Sequence, residues 1–360
     1  MGRDADIVVV GGGITGMATA RALAQSGSDV LLLEQFELGH SRGSSHGSSR
    51  IFRLTYPDAD YVRLAQSALE AWRQLEAECG ERLIVRTGSL DFGSLVDANA
   101  RALASCGVGY ELLTGTEVTE RWHLSAAASE RALFQPDGGI ALAERAHSAF
   151  VEGARAAGAA VSAQVAVTGI GLERGAVRVS TEKNEILARA VVVTAGAWAP
   201  SLLRQVEVDL PVVPTRETVA YFDVPGADQL PPVMDSSVPA ADDYGLARPG
   251  QISYAVGAPG VGLKAGLHHA GPLADPDAAG SADPAVVDWV CDWIARRYPG
   301  ATHSSTGPET CLYTNTADES FVLERHGRVI VGSACSGHGF KFAPALGRTL
   351  AAMALEGARS

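Results

Sequence analysis

Lysine is almost missing from this chain of 360 residues: among 29 cationic side chains only Lys183, Lys264 and Lys341 are lysines. Arginine serves wherever a generic surface cation was needed. A lysine that persists in this background is therefore a candidate for what arginine cannot do, which is to present a compact ammonium whose pKa shifts on burial. Lys183 sits in a plain polar turn, Thr181-Glu182-Lys183-Asn184-Glu185, whereas Lys264 and Lys341 lie inside Gly-rich, otherwise apolar segments. Paired cysteine motifs are also lacking. The five cysteines (Cys79, Cys106, Cys291, Cys311, Cys335) are scattered, odd in number and without C-x-x-C spacing, so neither a disulfide framework nor a metal site is indicated, and a reducing cytoplasm fits. No apolar run approaches the roughly 18 residues that span a bilayer. Excess positive charge is absent as well: the net charge of −12 argues against nucleic acid and anionic membranes as partners.

What is present starts at once. Ile7 to Val10 is an apolar run that stops at Gly11-Gly12-Gly13-Ile14-Thr15-Gly16; an Ala-rich stretch, Met17 to Gln25, leads to Val30-Leu31-Leu32-Leu33 and then Glu34. This is strand, turn, helix, strand, acid. Gly11 permits the tight turn, Gly13 lets the backbone approach a pyrophosphate, Gly16 lets helix and strand pack, and the first helical turn offers N–H groups to phosphates. Glu34 is placed to hold a ribose 2′-hydroxyl and disfavours a 2′-phosphate, which speaks against NADP while NAD and FAD both remain.

Further along, His40 to Arg50 is a run of small and hydroxyl residues without hydrophobic periodicity, expected to wrap the same ligand outside any strand or helix. It closes on Arg50-Ile51-Phe52-Arg53, two arginines placed to act together. Tyr61 to Glu78 has helical periodicity, Leu83 to Phe92 alternates as one strand, Thr114 to Glu117 is a capping box, and Ala141 to Ala157 is an Ala-rich helix. The strands Ala160 to Thr168, Ala176 to Ser180 and Ala190 to Thr194 follow, the last running into Ala195-Gly196-Ala197-Trp198. From Thr218 to His268 the pattern is β-rich without crossover helices, which reads as antiparallel. A helix over Pro284 to Tyr298, a strand over Val329 to Gly332 and a final helix to about Leu355 complete the chain.

Several segments together resemble the flavin-dependent amine oxidases typified by monomeric sarcosine oxidase and N-methyltryptophan oxidase, within the D-amino-acid-oxidase-like group. Besides the opening glycines these are His40 to Arg50, Gly262-Leu263-Lys264, Cys311-Leu312-Tyr313-Thr314-Asn315-Thr316-Ala317-Asp318 and Ser336-Gly337-His338-Gly339-Phe340-Lys341-Phe342. The resemblance implies an α/β protein: a Rossmann-like FAD-binding domain (residues 1–84, 140–215 and 305–360) with an inserted, mostly antiparallel β-rich substrate domain carrying helices (residues 85–139 and 216–304). It implies FAD attached through the Cys311 sulfur, although a cysteine taken by itself reads as a buried inert thiol. Cofactor contacts are expected from Gly11, Gly13, Ile14, Thr15, Gly16 and Glu34; from Ser44, His46, Ser49 and Arg50; from Val165, Gly196 and Trp198; and from Cys311, Gly337, Gly339, Phe340 and Lys341. Lys264, Arg50, His46, His268 and Tyr254 are the expected catalytic set, with Lys264 the residue that activates O2. Arg53, Lys341, Tyr56 and Arg248 are expected at the substrate, with Tyr56 and Asp58 on a loop that gates entry.

The implied reaction oxidises the C–N bond of a secondary or cyclic α-amino acid to an imine while O2 becomes peroxide, in a monomer without macromolecular partners. There are departures from the family pattern. Ser45 stands where a histidine is expected, and Asp242 to Arg248 carries no methionine but adds an arginine and two carboxylates, which points to a substrate larger or more polar than sarcosine. Three other readings stay open at this point: a dehydrogenase using another acceptor, a flavin hydroxylase, and a non-catalytic flavin-binding subunit.

Overall fold

The computed structural model describes residues 4–237, 244–246, 251–302 and 304–356. Five parallel strands form the centre of the first sheet, in the order Ala160–Ser162, Val30–Leu33, Ala5–Val10, Glu185–Val193, Val329–Ser333. Side chains alternate across it as the pleat requires. Ile7 and Val9 join Ala190 and Val192 in the core under the helices, while Val8, Val10, Val191 and Val193 pack on the opposite face. Three helices cover the first of these faces: Ile14–Gln25, Ala143–Ala156 and Ala343–Glu356. Gly347 makes their close packing possible, because a Cβ there would lie 2.6 Å from the backbone of Ala18. The hairpin Val167–Glu173/Ala176–Thr181 and the strand Val322–His326 extend the sheet antiparallel.

A second sheet of eight strands runs Glu309–Asn315, Val213–Phe222, Gly262–Leu267, Ser253–Ala258, Val233–Ser236, Ser89–Gly93, Arg131–Gln135, Glu111–Thr114. It is antiparallel except for the pair Val233–Ser236 and Ser89–Gly93. Pro284–Arg297 lies on one face with Trp289, Trp293 and Ile294 buried, its start capped by Asp283. A small third sheet, Ser49–Phe52 with Gly139–Leu142 and Ile84–Arg86, joins the two, its Ile140 and Leu142 packing on Val256 of the second sheet. The architecture is the mixed α/β fold expected.

Some boundaries differ, each for a local reason. Leu83 to Phe92 is two strands, Ile84–Arg86 and Ser89–Gly93, because the chain turns at Thr87-Gly88 and passes from the third sheet to the second. The strand expected over Ala160 to Thr168 stops at Ser162; Gln164 is left-handed (φ 58°), which lets Val165 N–H bond Glu34 O at 2.8 Å before a new strand starts at Val167. Ser49 and Arg50 are strand residues, not part of the irregular run. The carboxyl-terminal piece divides: Glu309–Asn315 pairs with Val213–Phe222 in the second sheet, and only Val322–His326 and Val329–Ser333 return to the first. Among the described residues no helix is long and apolar enough to cross a membrane.

Candidate active site

The parallel strands end together. Val10 is in register with Leu33 and Val193, so Gly11, Glu34 and Thr194 all lie at the carboxyl edge of the sheet, where open α/β sheets bind ligands. A cavity of about 740 Å³ begins here and continues to the second sheet. Its near end is lined by Gly11, Gly13, Ile14, Thr15, Glu34, Val165, Gly196 and Trp198. Gly11 has φ +102° and touches the backbone of Thr194, so no side chain fits. Gly16 lies behind the wall, where a Cβ would meet Gly11 O at 1.9 Å; it serves packing and does not face the cavity. The Ile14 N–H is occupied by Ser45 Oγ at 3.0 Å and is not left free for a phosphate. Glu34 accepts from Gly12 N (2.6 Å) and Phe36 N (2.8 Å). Burial opposes its charge, but hydrogen bonds from His40 and these two N–H groups outweigh burial and hold its pKa below the usual carboxylate range.

The far end is built from both sheets and the hydroxyl-rich run. Ser44, His46, Arg50, Arg53, Tyr254, Lys264, His268, Cys311, Gly337, Gly339, Phe340 and Lys341 all line it. Arg50 shapes the run: Nη2 donates to Ser44 O (2.8 Å) and His46 O (2.6 Å), Nη1 donates to Ser49 O (2.8 Å), and the guanidinium lies over the Phe340 ring. Ser44 Oγ donates to Leu312 O, fastening the run to the strand of Cys311. Lys264 Nζ donates to Ser49 O at 2.5 Å. That carbonyl is the contribution of Ser49, which does not itself line the cavity. Burial, then the Arg50 charge, lowers the Lys264 pKa to about 7.

Lys341 is held differently. Of its three ammonium protons, one goes to Tyr56 Oη (2.9 Å) and one to His338 O (2.8 Å), leaving one for the cavity. Burial, with the Arg53 charge added, holds its pKa well below the ordinary value. Tyr56 is buried, stacks on Tyr61 and carries the Arg53 guanidinium 4.2 Å above its ring. It supports the two cations and does not itself line the cavity, and Asp58 is the N-cap of the helix Ala59–Cys79. Arg248, Asp242 and Asp243 lie outside the described residues.

Three imidazoles in this region are neutral at pH 7. Burial, helped by Arg50 and Lys264, lowers His46 to about 4; burial, helped by Lys341, lowers His338 to about 3. Burial and the neighbouring His269, His338 and Arg53 hold His268 far below its usual value. His268 Nδ1 is 3.3 Å from Tyr313 Oη, and both rings crowd Gly337 (φ +74°), where a Cβ would be 2.2 Å from Tyr313 and 2.5 Å from His268. The Cys311 thiol is pushed up by burial, against the pull of Arg50 and Lys264.

The site also contains residues that sequence reading did not assign. Tyr313 and His338 lie inside motifs already noted, so their positions were available. Met234 lines the cavity from a strand with no motif, and His147, whose Nε2 is 2.8 Å from Gly12 O, braces the glycine turn from a helix 135 positions further along the chain. Nothing in the spacing marks either.

This arrangement fits an elongated dinucleotide with a flat, hydrogen-bonding ring. His46 Nε2 is buried without a partner on the cavity wall, and the glycine turn leaves no room for side chains. A model for FAD dependent oxidoreductases matches residues 6–353. The chain belongs to this FAD-dependent oxidoreductase family. It is 32% identical to monomeric sarcosine oxidase of Bacillus sp. over 98% of this chain and 92% of that protein. It is 30% identical to N-methyl-L-tryptophan oxidase of Yersinia pestis over 98% and 95%. The solved structure of NikD, described as an unusual amino acid oxidase essential for nikkomycin biosynthesis, superposes with a TM-score of 0.86 at 28% identity, covering 98% of this chain and 94% of that one. The chain is accordingly an FAD-dependent amine or amino-acid oxidase by family.

Proposed function

We propose that this enzyme oxidises the C–N bond of a secondary or cyclic α-amino acid to the imine, with O2 reduced to H2O2. The observation that carries the reading is the convergence of Arg53, Lys341 and Lys264 on one cavity in a protein of net charge −12. FAD held by the glycine turn, Glu34 and the run ending at Arg50 would supply the redox chemistry, as acceptor of a hydride equivalent from the amine carbon and donor of two electrons to O2.

Arg53 and Lys341 bind the substrate carboxylate. The Lys341 proton left over from Tyr56 and His338 points to this role, and the Arg53 guanidinium offers donors beyond the Nη1 group bonded to Thr55. Neutral His268 and Tyr254 border the amine and leave it uncharged company, which suits an amine that reacts without its proton. Lys264, in its ammonium form, presents a positive charge where O2 is reduced, stabilising the anion that forms. Cys311 would hold FAD through a thioether from Sγ to the 8α-methyl carbon, the thiol and the methyl group each giving up a hydrogen as the ring takes up two electrons that O2 then removes; its position in the wall of the cavity is consistent with this role.

The test is anaerobic titration of the purified yellow protein with a panel of secondary and cyclic amino acids. Bleaching without any nicotinamide cofactor, followed by peroxide on admitting air, is the expected result. Bleaching only with NADH or NADPH would overturn the proposal.

A further inference from the structure

Beside the cavity, two loops bring together three side chains, of which the proposed oxidation uses only His268, at the amine. His268 and His269 follow one strand of the second sheet, and Glu319 sits in the turn after Asp318; one ligand atom from each lies within 4.8 Å of the other two. Consecutive residues on an extended chain point to opposite faces. Here His269 is left-handed (φ 55°), which swings its ring next to that of His268, centroid to centroid 4.0 Å. Glu319 is left-handed too (φ 62°), and its Oε1 is 3.5 Å from His269 Nε2. Two non-glycine residues thus sit in a costly conformation on separate loops and meet at one point, the kind of stored strain found at ligand sites.

We infer that His268, His269 and Glu319 form a site for a divalent transition ion of the zinc type. Two imidazoles and one carboxylate are a zinc donor set, and three protein ligands leave a coordination position open. In such a site the donor atoms stand about 3.3 Å apart, given metal–ligand bonds near 2.0 Å. The half-exposed Glu319 side chain can close the remaining distance by rotating. Outer partners are in place. Tyr313 Oη is 3.3 Å from His268 Nδ1, and His338 Nε2 is 3.1 Å from Glu319 O, orienting the ring and the carboxylate turn. Because His268 also lines the cavity, an ion held here stands at the wall of the substrate space, and zinc acts as an inhibitor of amine turnover.

Calorimetric titration of the flavin-loaded protein with zinc chloride tests this. Binding should saturate at one ion per chain, and magnesium, which prefers oxygen ligands, should not compete. Glu319→Gln preserves volume and His269→Gly suits the positive φ, so both variants should fold with an unchanged visible spectrum. Each should weaken zinc binding at least tenfold and move inhibition to correspondingly higher zinc, while Glu319→Gln retains turnover in zinc-free buffer. Absence of saturable binding, or equal affinity in the two variants and the parent, overturns the inference; the latter would place the ion on cysteine thiols. The calorimetric readout holds whether or not the chain oxidises amines, so its failure and that of the proposed reaction are separable.

Discussion

Single side chains carry the strongest expectations. Lys264 is buried in the cavity wall, with Ser49 O as its hydrogen-bond partner and Arg50 as its cationic neighbour, and its pKa is lowered to about 7. Its ammonium is therefore lost as pH rises through about 7, so reoxidation by O2 should slow from pH 6 to pH 9 in stopped-flow traces. Replacing it with Met should slow reoxidation by about 10²-fold, the scale of losing a charge that stabilises a forming anion, while flavin reduction by the amine changes far less. Tyr56→Phe removes one acceptor from Lys341 but leaves the ring under Arg53. Losing that hydrogen bond, worth about 1 kcal/mol, should raise KM about fivefold with kcat nearly unchanged.

Asp91 shows the same physics in the fold rather than in the chemistry. Burial raises its pKa from the ordinary 3.8 to about 6, against the pull of Arg53. The native state then holds a proton that the unfolded chain releases, so stability falls as pH rises from about 4 to about 6. Asp91→Asn should abolish that fall, a gain of roughly 3 kcal/mol at pH 7 relative to pH 4, measured by denaturant unfolding at both pH values. The rarity of lysine, read with the Gly-rich and otherwise apolar segments around them, singles out Lys264 and Lys341 from the amino-acid sequence. Asp91 and the hold of Tyr56 on Lys341 were not legible there, because those contacts join residues far apart along the chain.

The elements explain why the sequence patterns worked where they did. In Gly262–Leu267, Leu263, Ala265 and Leu267 enter the core beneath Pro284–Arg297, and Lys264 is left on the opposite face, toward the cavity. Strand alternation, readable from six letters, thus aimed the lysine. Gly266 shares its face and gives up its side chain to Tyr254, whose Oη would be 2.7 Å from a Cβ there. The helices are equally tight. Gly347→Ala should force Ala343–Glu356 away from Ile14–Gln25 and cost about 1–3 kcal/mol, read as a lower denaturant midpoint with the slope unchanged. Boundaries failed where a turn passed the chain between sheets, as at Gly88, or broke a strand, as at Gln164, since pattern reports the faces of a strand and not which sheet it joins.

At the scale of the molecule, the cavity belongs to neither sheet alone. Its near wall is the edge of the parallel sheet and its far wall the strands of Lys264 and Cys311, so a dinucleotide there holds the two halves together. A ligand bound reversibly makes the melting temperature depend on its concentration, whereas a tethered one does not. Cys311→Ser should accordingly release its FAD on acid precipitation and melt at a temperature that climbs with added FAD, while the parent protein does neither. Composition, strand alternation and short motifs determined by themselves the dinucleotide turn, the mixed α/β class and the buried lysines, because each is a local property of a few neighbouring residues, while the cysteine of the cavity wall came from the family resemblance. The splitting of the last segment between sheets, the support of Lys341 by Tyr56, and the meeting of His269 with Glu319 were decided only by tertiary structure. Each depends on packing that brings distant residues within a few ångströms, and no local periodicity encodes that.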